Sequence, residues 1–337
     1  MDQGSLPPPM AALQMMMGHW VSQVLATIAE LGVADQIAKG VHDSTELARL
    51  CEAHPDALFR VLRAGATVGI LQQTGARTFA LTPVGDCLRS DSQFAMRVFI
   101  VAELAPGHWL PWGRLSQATR TGKSPAKEAL GCEVWDYYAK NPDEGATFAR
   151  GMGNLSQMVA IQSMASYDFS HFQHVVDVGG SQGALLAAVL RASGGTRGTL
   201  FDRPDVIEHG AERVRSYELG DRLKTEGGDF FVKVPEGDGY LLKSILHDWD
   251  DEHCDKILQT IHRSSKAGAK LLVFEMVLSD DPMATPIKLM DLNMLVMLNG
   301  RERTAEEYGA LLSKAGFRLE RVIPTQGLFS ILEATRL

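Results

Sequence analysis

A histidine with acidic and aromatic neighbours is the most reactive combination in this sequence. His247 lies in Lys243-Ser-Ile-Leu-His-Asp-Trp-Asp-Asp251, directly after an apolar run that indicates a strand, and Glu275 and Glu302 follow at a strand end and in a loop. A carboxylate bonded to one imidazole nitrogen fixes the tautomer and leaves the other nitrogen as a general base. Phenolic hydroxyls, with a pKa of about 10, need such a base at neutral pH. A lone histidine is more often structural, but the two glutamates favour a catalytic role here.

A glycine turn follows another apolar strand. The segment Val175-Val-Asp-Val-Gly-Gly-Ser-Gln-Gly183 passes from a buried strand into glycines and then a helix, and Gly179 and Gly180 allow a tight turn against a ligand. The spacing differs from the GxGxxG pattern of nicotinamide cofactors. Asp177 stands just before the glycines, where a carboxylate receives a cationic amino group. This turn therefore predicts a near-neutral or zwitterionic ligand rather than a pyrophosphate.

Two further acids stand at the ends of later strands. Asp202 follows Leu200-Phe201, about where nucleotide-binding α/β folds hold a ribose diol, and Asp229 lies in Gly227-Gly-Asp-Phe-Phe231. Each acid alone is as consistent with capping a helix or turn. Acids at three successive strand ends are harder to explain as caps, and they favour a ligand with a ribose and an adenine, whose recognition needs no basic phosphate site.

Alternating strands and helices position these residues in the second half of the chain. Strands are predicted at 175–178, 199–201, 240–242 and 271–274, with helices such as 184–190 and 252–262 between them. This alternation indicates a parallel, doubly wound α/β sheet. The segments 318–323 and 328–333 indicate a closing hairpin and hence an antiparallel last strand.

The first half is predicted to be helical. A helix from Ser44, a second around 56–68, strands at 70–71 and 78–81 and a helix start at Thr82-Pro83 form a winged helix-turn-helix pattern. DNA binding is disfavoured because the second helix carries only Arg60 and Arg63. A dimerisation module is favoured, with a buried, intersubunit helix between Asp2 and Glu30. The aromatic-rich stretch 94–165, broken at Gly122, predicts a helical connector and pocket wall.

Composition excludes several partners. The 33 basic and 41 acidic residues give a net charge of −8, which disfavours nucleic acid and anionic membranes. The four cysteines form no CxxC pair, so we expect neither a metal site nor a disulfide framework, and a cytoplasmic setting. The 14 methionines suit an adaptable apolar pocket.

These motifs resemble the S-adenosylmethionine-dependent O-methyltransferases of the plant caffeate/hydroxyindole type and their bacterial natural-product relatives. The resemblance rests on Asp177-Val-Gly-Gly, Phe201-Asp-Arg-Pro, the His-Asp-Trp segment at His247 and Gly300-Arg-Glu-Arg-Thr304. It implies a Rossmann-like doubly wound α/β sheet with an antiparallel last strand, and an all-helical, winged-helix-like N-terminal dimerisation domain. The expected division is 1–100 for dimerisation, 101–165 for the connector and 166–337 for the catalytic domain. A homodimer is implied.

The resemblance also assigns roles to individual residues. His247 is the expected base, oriented by Glu275 and Glu302. The expected cofactor contacts are Ser156, Asp177, Gly179, Asp202, Arg203, Gly228, Asp229, Phe230 and Lys243. The expected substrate contacts are Trp135, Phe148, Met152, Asp248, Trp249, Asn293, Met294 and Met297. Spacing alone favours core packing for the last three, which share one helix face with Met290.

Two positions depart from the family pattern. Ser181 stands where a third glycine is usual, and we expect altered packing or affinity rather than loss of binding. Arg203 stands where an apolar residue usually follows the aspartate, and it reaches either the cofactor or solvent.

The sequence predicts methylation of a phenolic hydroxyl on an aromatic small molecule in secondary metabolism. The alternatives are a family member that uses S-adenosylmethionine for hydroxylation or decarboxylation, a NAD-dependent oxidoreductase and a DNA-binding regulator. No metal, nucleic acid or membrane is expected as a partner.

Overall fold

The computed structural model describes residues 6–92, 96–281 and 285–337. The chain forms two compact units. The helical unit comprises Met1–Trp109 and Asp143–Asn154, and the sheet unit comprises Leu110–Pro142 and Leu155–Leu337. The predicted connector 101–165 is thus shared between the two units. Phe94, where the aromatic-rich stretch 94–165 begins, lies outside the described residues. The division into three segments stays a prediction.

Helices dominate the first half of the chain and separate the strands of the second. The helices are α1 Pro8–Met16, α2 Gly18–Glu30, α3 Val33–Ala38, α4 Ser44–Leu50, α5 Pro55–Thr67, α6 Pro83–Asp86, α7 Met96–Glu103, α8 Pro106–Trp112, α9 Leu115–Thr121, α10 Ala126–Leu130, α11 Val134–Lys140, α12 Pro142–Met164, α13 Ala184–Ala192, α14 Pro204–Arg215, α15 Asp251–Ser264, α16 Thr285–Met297 and α17 Ala305–Lys314. The strands are β1 Leu71–Gln73, β2 Phe79–Leu81, β3 His174–Val178, β4 Arg197–Asp202, β5 Leu223–Gly227, β6 Gly239–Lys243, β7 Lys270–Glu275, β8 Val277–Leu278, β9 Arg303–Thr304, β10 Phe317–Pro324 and β11 Ser330–Arg336.

The helical unit contains the predicted winged-helix elements. Asp43 starts α4 by accepting hydrogen bonds from the N–H groups of Thr45 and Glu46, and Thr82 caps α6. Between them, α5 is followed by β1 and β2, which pair antiparallel. This unit is therefore mainly helical rather than all-helical, since the hairpin that the strand pattern predicted interrupts the helices.

The apolar first helix contacts little of its own chain. No residue of α1, which is described in full, is buried, whereas α2 buries Ile28 and Ala29. Met15 is 81% exposed and Trp20 is 53% exposed. Within one chain, the predicted burial of this segment is thus confined to the end of α2, and α1 stays exposed.

The sheet unit is built on a doubly wound sheet. Among the described residues, its seven strands have the order β10-β11-β7-β6-β3-β4-β5. The pairs from β7 to β5 are parallel, and β11 runs antiparallel to both β7 and β10. The predicted parallel core and antiparallel last strand are confirmed.

The carboxyl ends of the parallel strands meet at one edge of this sheet. Asp177, Asp202, Lys243 and Glu275 lie at the ends of β3, β4, β6 and β7. Open α/β sheets bind ligands at this edge. The topology therefore brings predicted site residues from four separate strands to one place.

Across 6–92, 96–281 and 285–337, no helix is both long and apolar enough to cross a bilayer.

Candidate active site

A buried carboxylate shapes the turn that carries His247. Glu275, which ends β7, is 0% exposed. Its Oε1 accepts hydrogen bonds from the backbone N–H groups of Ile245 at 3.1 Å, Leu246 at 3.0 Å and His247 at 3.4 Å. Ser244 makes the preceding bend with a left-handed φ of 53°. The turn after β6 is thus folded around the end of the neighbouring strand.

The imidazole of His247 lies between carboxylates. Its Nδ1 is 2.8 Å from Oε1 of Glu302 and 3.5 Å from Oε2 of Glu275, and its Nε2 is 3.4 Å from Oδ1 of Asp248. A proton on Nδ1 bonds Glu302 and leaves Nε2 as the acceptor. The structure therefore brings His247, Glu275 and Glu302 together in the arrangement that the sequence predicted.

The charges of this cluster favour a proton on the imidazole. Burial by itself lowers the pKa of His247, but Glu275, the hydrogen bond to Glu302 and Asp248 outweigh it and raise the pKa to about 10. Burial raises the pKa of Glu275 to about 7 and that of Asp248 to about 6, against the opposing effect of His247. A positive ligand beside this cluster would lower the pKa of His247.

The same three groups have the chemistry of metal ligands. One atom each from His247, Glu275 and Glu302 lies within 4.8 Å of the others. Oε1 of Glu275 already accepts three backbone N–H groups. The expectation of a site without metal stays a prediction.

Arg303 stabilises the His247 turn through hydrogen bonds to its backbone. Its side chain is fully buried, and its guanidinium donates to the carbonyl oxygens of Leu246 at 2.9 Å and Trp249 at 2.8 Å, and to Oδ1 of Asp251 at 2.8 Å. Sequence reasoning gave Arg303 no role. The sequence signal that could have revealed this role is the motif Gly300-Arg-Glu-Arg-Thr304, in which Arg303 directly follows Glu302. Both residues contact the same turn.

Gly300 lies directly against the same turn. A Cβ added there would be 1.9 Å from the carbonyl oxygen of His247 and 2.9 Å from Cα of Asp248. The N–H of Arg301 donates to that carbonyl oxygen at 2.9 Å. Only a residue without a side chain fits at this contact.

The glycine turn that follows β3 lies beside this cluster. Gly179 has a φ of 72°, and an added Cβ would meet Cδ1 of Ile245 at 2.5 Å and Cε1 of Phe230 at 3.7 Å. Phe230 packs edge-on against Trp249, with ring centroids 6.2 Å apart. The predicted contacts Gly179, Phe230 and Trp249 thus line one region, and its wall is apolar as predicted for Trp249.

Asp202 is bonded to the glycine turn. Its Oδ2 accepts from the N–H of Ser181 at 2.8 Å and its Oδ1 from the N–H of Arg203 at 2.7 Å. Burial raises the pKa of Asp202, and these two hydrogen bonds oppose the rise. Ser181 has a φ of 53°, a conformation that glycine adopts at lower cost, which explains the usual glycine at this position.

Asp177 and Lys243 place opposite charges at the sheet edge. Asp177 is 1% exposed, and its Oδ2 has no hydrogen-bond partner among the described residues. Burial raises the pKa of Asp177 to about 7, and Lys243 opposes the rise. Burial likewise lowers the pKa of Lys243, against Glu275, Asp177 and Asp248. Both side chains are suited to a polar ligand at this edge.

The other predicted cofactor contacts differ in their surroundings. The N–H of Gly228 donates to the carbonyl oxygen of Asp202 at 2.9 Å, and exposed Asp229 accepts from the N–H of Phe231 at 2.8 Å. Ser156 is buried on α12. The side chain of Arg203 is 53% exposed, and its guanidinium lies 2.9 Å from Oδ2 of Asp205. Cofactor contact by Arg203 stays a prediction.

Apart from Asp248 and Trp249 at the His247 turn, the predicted substrate residues fall into three groups. Asn293, Met294 and Met297 are buried on α16, and Oδ1 of Asn293 accepts from Nε1 of Trp112, a residue that sequence reasoning missed, at 2.7 Å. Trp135 is 38% exposed on α11. Phe148 and Met152 belong to the helical unit, where Phe148 stacks on His108 at 5.5 Å. Substrate contact by these residues stays a prediction.

Comparison with known proteins agrees with this geometry. Residues 112–318 match the family model of the O-methyltransferase domain, and residues 13–91 match that of the O-methyltransferase dimerisation domain. The fold and site therefore define a methyltransferase with a separate dimerisation domain. The chain belongs to the O-methyltransferase family. This membership favours the methyltransferase prediction over the oxidoreductase and DNA-binding alternatives.

Relatives match along nearly the whole chain. The phenazine O-methyltransferase PhzM of Lysobacter antibioticus is 38% identical over 332 residues, which cover 98% of this chain and 97% of the relative. The mitomycin biosynthesis 6-O-methyltransferase of Streptomyces lavendulae is 38% identical over 309 residues, covering 91% and 88%. The crystal structure of human N-acetylserotonin methyltransferase in complex with S-adenosylmethionine superposes with a TM-score of 0.90 at 27% identity, covering 100% of this chain and 99% of that one. The family resemblance found in the sequence is confirmed.

Replacing Gly300 by alanine should disturb the His247 turn. The added Cβ clashes with backbone atoms rather than a flexible side chain. Overpacking of this kind costs about 1–3 kcal/mol, and a misplacement of about 1 Å lowers rates by about 10²-fold. We expect a lower melting temperature and loss of most activity, measured by thermal unfolding and initial rates.

Gly309→Ala is the matched control for this substitution. Gly309 lies within α17, and the nearest atom to an added Cβ is Cδ2 of Leu319 at 3.5 Å, an ordinary contact. Alanine favours a helix by up to about 1 kcal/mol, so this variant should keep or raise the melting temperature. Equal melting temperatures and rates for both variants would contradict the described contact.

Proposed function

We propose that this protein transfers a methyl group from S-adenosylmethionine to a phenolic hydroxyl of an aromatic small molecule in secondary metabolism, with His247 as the general base. The observation that carries the proposal is the contact of 2.8 Å between Nδ1 of the His247 imidazole and Oε1 of Glu302, which makes Nε2 the proton-accepting nitrogen of the neutral ring. Methylation of aromatic natural products is also what the names of the bacterial relatives indicate.

The residues at the sheet edge fit such a cofactor. The unpartnered, buried Oδ2 of Asp177 offers an acceptor to an ammonium group, and Asp202 stands where a ribose diol is bound. Gly179 takes a left-handed φ of 72° and leaves room for the side chain of Ile245, so the turn lies close to Ile245 and Phe230. When bound, S-adenosylmethionine supplies a methyl group that its positively charged sulfur has already activated. The carboxylates of this edge suit its positive charge.

The chain itself supplies alignment and proton transfer. Nε2 of His247 takes the proton of the substrate hydroxyl, and Glu302 stabilises the resulting imidazolium through Nδ1. Glu275 and Arg303 hold the turn, so the ring keeps one orientation. The apolar wall of Phe230 and Trp249 limits the access of water. A dry, aligned site of this kind accounts for a large part of such catalysis.

A homodimer through the helical unit belongs to the same proposal. Residues 13–91 match a dimerisation-domain model, and α1 exposes Met10, Leu13, Met15 and Met16. Contiguous exposed apolar faces are typical of interaction surfaces. A second copy of the chain would bury this helix.

Substitution of the base tests the catalytic assignment. His247→Gln keeps a polar side chain but cannot accept the proton, so the turnover number should fall by about 10²–10⁴-fold. Binding of S-adenosylhomocysteine, measured by titration calorimetry, should stay unchanged. Wild-type turnover of hydroxylated aromatics by this variant, followed by mass spectrometry with labelled cofactor, would sink the assignment.

Two controls accompany this substitution. His209→Gln changes an exposed histidine on α14 and should leave the rate unchanged. Assays with a chelator should also give the wild-type rate, whereas a loss of activity would mean that the His247 cluster holds a metal.

The rate should rise with pH. The raised pKa of about 10 keeps His247 protonated at neutral pH in the absence of ligand, and only the neutral ring accepts a proton. The neutral fraction grows about tenfold per pH unit below the pKa. The kcat/KM for the cofactor, which reports the ligand-free protein, should therefore increase through the mildly alkaline range, and His247→Gln should abolish this increase. A flat wild-type profile up to pH ~9 would contradict it.

Asp202 should contribute to cofactor affinity. Asp202→Asn removes a charged acceptor, and a hydrogen bond to a charged group contributes about 1.5–3 kcal/mol, so the dissociation constant for S-adenosylhomocysteine should rise about 10–100-fold. Asp205→Asn is the matched control, because Asp205 lies in an exposed pair with Arg203. An equal effect of the two substitutions in calorimetry would count against the assignment.

A further inference from the structure

The side chain of Asn293 has a fixed orientation. Its Oδ1 lies 2.7 Å from Nε1 of Trp112. The indole N–H only donates, so it selects the carbonyl oxygen of the amide and excludes the NH₂ group from this contact. The amide is nearly symmetric in shape, and Trp112 thereby determines which side carries the oxygen and which carries the NH₂ group.

The NH₂ group of the same amide lacks a strong acceptor. Asn293 is 8% exposed, and the contact found for its Nδ2 among the described residues is Sδ of Met290 at 3.8 Å. A thioether is a weak acceptor. Leaving a buried donor without a good partner is costly, which points to an acceptor that arrives with a ligand.

The helix that carries Asn293 adjoins the catalytic turn. α16 ends at Met297, and the next residues bend at Asn299, with a φ of 62°, into Gly300, which lies against His247. On the same helix, Oδ1 of Asp291 accepts the N–H of Glu302 at 3.0 Å. The amide is therefore carried by an element bonded to the catalytic residues.

A stretch that follows Trp112 in the chain is bonded to the same helix. Oγ of Ser124 donates to the carbonyl oxygen of Val296 at 2.6 Å, and the N–H of Ser124 donates to Oδ1 of Asn299. Two contacts at the end of α16 thus join it to the stretch between α9 and α10. The Trp112 contact is part of a preorganised framework rather than an isolated surface bond.

We propose that Asn293, held by Trp112, is a specificity-determining residue that donates a hydrogen bond to the substrate and so selects aromatic hydroxy compounds that carry an acceptor. Suitable acceptors are a carbonyl or quinone oxygen, an ether oxygen or an unprotonated ring nitrogen. A substrate that presents an N–H at the same point would place one donor against another, namely its own N–H against the NH₂ group of Asn293. This inference rests on the proposed methyltransferase function and adds the chemical class of its substrate.

Matched substrates test the direction of this hydrogen bond. 1-Hydroxyphenazine and 2-hydroxyphenazine carry ring nitrogens that accept, and their 5,10-dihydro forms carry N–H groups on the same skeleton. We would measure kcat/KM for each under argon, together with binding to the protein loaded with S-adenosylhomocysteine. The wild-type protein should favour at least one oxidised form over its dihydro form by about tenfold or more, the value of one hydrogen bond to a buried donor.

Substitutions of Trp112 and Asn293 distinguish a role in substrate selection from a role in packing alone. Trp112→Phe keeps an aromatic ring but loses the N–H, so the amide can turn and the preference should fall to about threefold or less. Asn293→Asp presents only acceptors and should reverse the preference. Affinity for S-adenosylhomocysteine should stay unchanged in both variants. If Trp112 served only to pack, the preference would survive in Trp112→Phe.

The possible failures are distinguishable. No preference or the opposite preference in the wild-type protein, an unchanged ratio in Trp112→Phe, or failure of both oxidised phenazines to bind the loaded protein would overturn the inference. Loss of the proposed function has a different signature, namely failure to bind S-adenosylhomocysteine or full activity of His247→Gln.

Discussion

The candidate site depends on one buried carboxylate, that of Glu275. A charge in the interior is tolerated only when several groups compensate it, and here three successive backbone N–H groups converge on one of its oxygens while the His247 ring faces the other. The parallel pairing of β6 with β7 sets Lys243 opposite Phe274, so the chain leaves β6 beside the residue that ends β7. The sheet register thereby determines where the base stands. Glu302 then binds the His247 ring, and Arg303 binds carbonyl oxygens of the turn that Glu275 positions.

Charge is the second organising constraint of this edge. Asp177, Asp202, Asp248 and the two glutamates are all withdrawn from bulk water, and Lys243 and His247 are the cations that face them. Burial works against the charged forms of Asp177, Asp202, Lys243, His247, Asp248 and Glu275. The protonation states of these side chains therefore depend on one another and on any bound ligand. A cationic ligand and a proton on His247 compete for the same negative field, so binding and base strength are linked.

Much of this was predictable because the signals are local. The glycine turn and the acids of β3 and β4 follow apolar runs in the sequence, and parallel strands bring their carboxyl ends to one edge. The strand β5 was less visible, since its residues are mostly exposed and it lies at the edge of the sheet. The contact between Trp112 and Asn293 joins residues 181 positions apart, and no local pattern reports such a pair. The same holds for Arg303, whose partners lie more than fifty positions away. For α1, the sequence correctly shows an apolar helix, but it does not show that this helix stays exposed within its own chain.

The contact between Gly300 and the His247 carbonyl has a consequence for redesign of this scaffold. The segment around Gly300 and the turn at His247 meet backbone to backbone, without a side chain that could adapt to a change in either. A loop exchanged at one of these places keeps its fit only if the other is exchanged with it. The two segments are therefore a single module for grafting and for recombination between homologous chains, and crossovers between them are expected to yield folded proteins with a misaligned base.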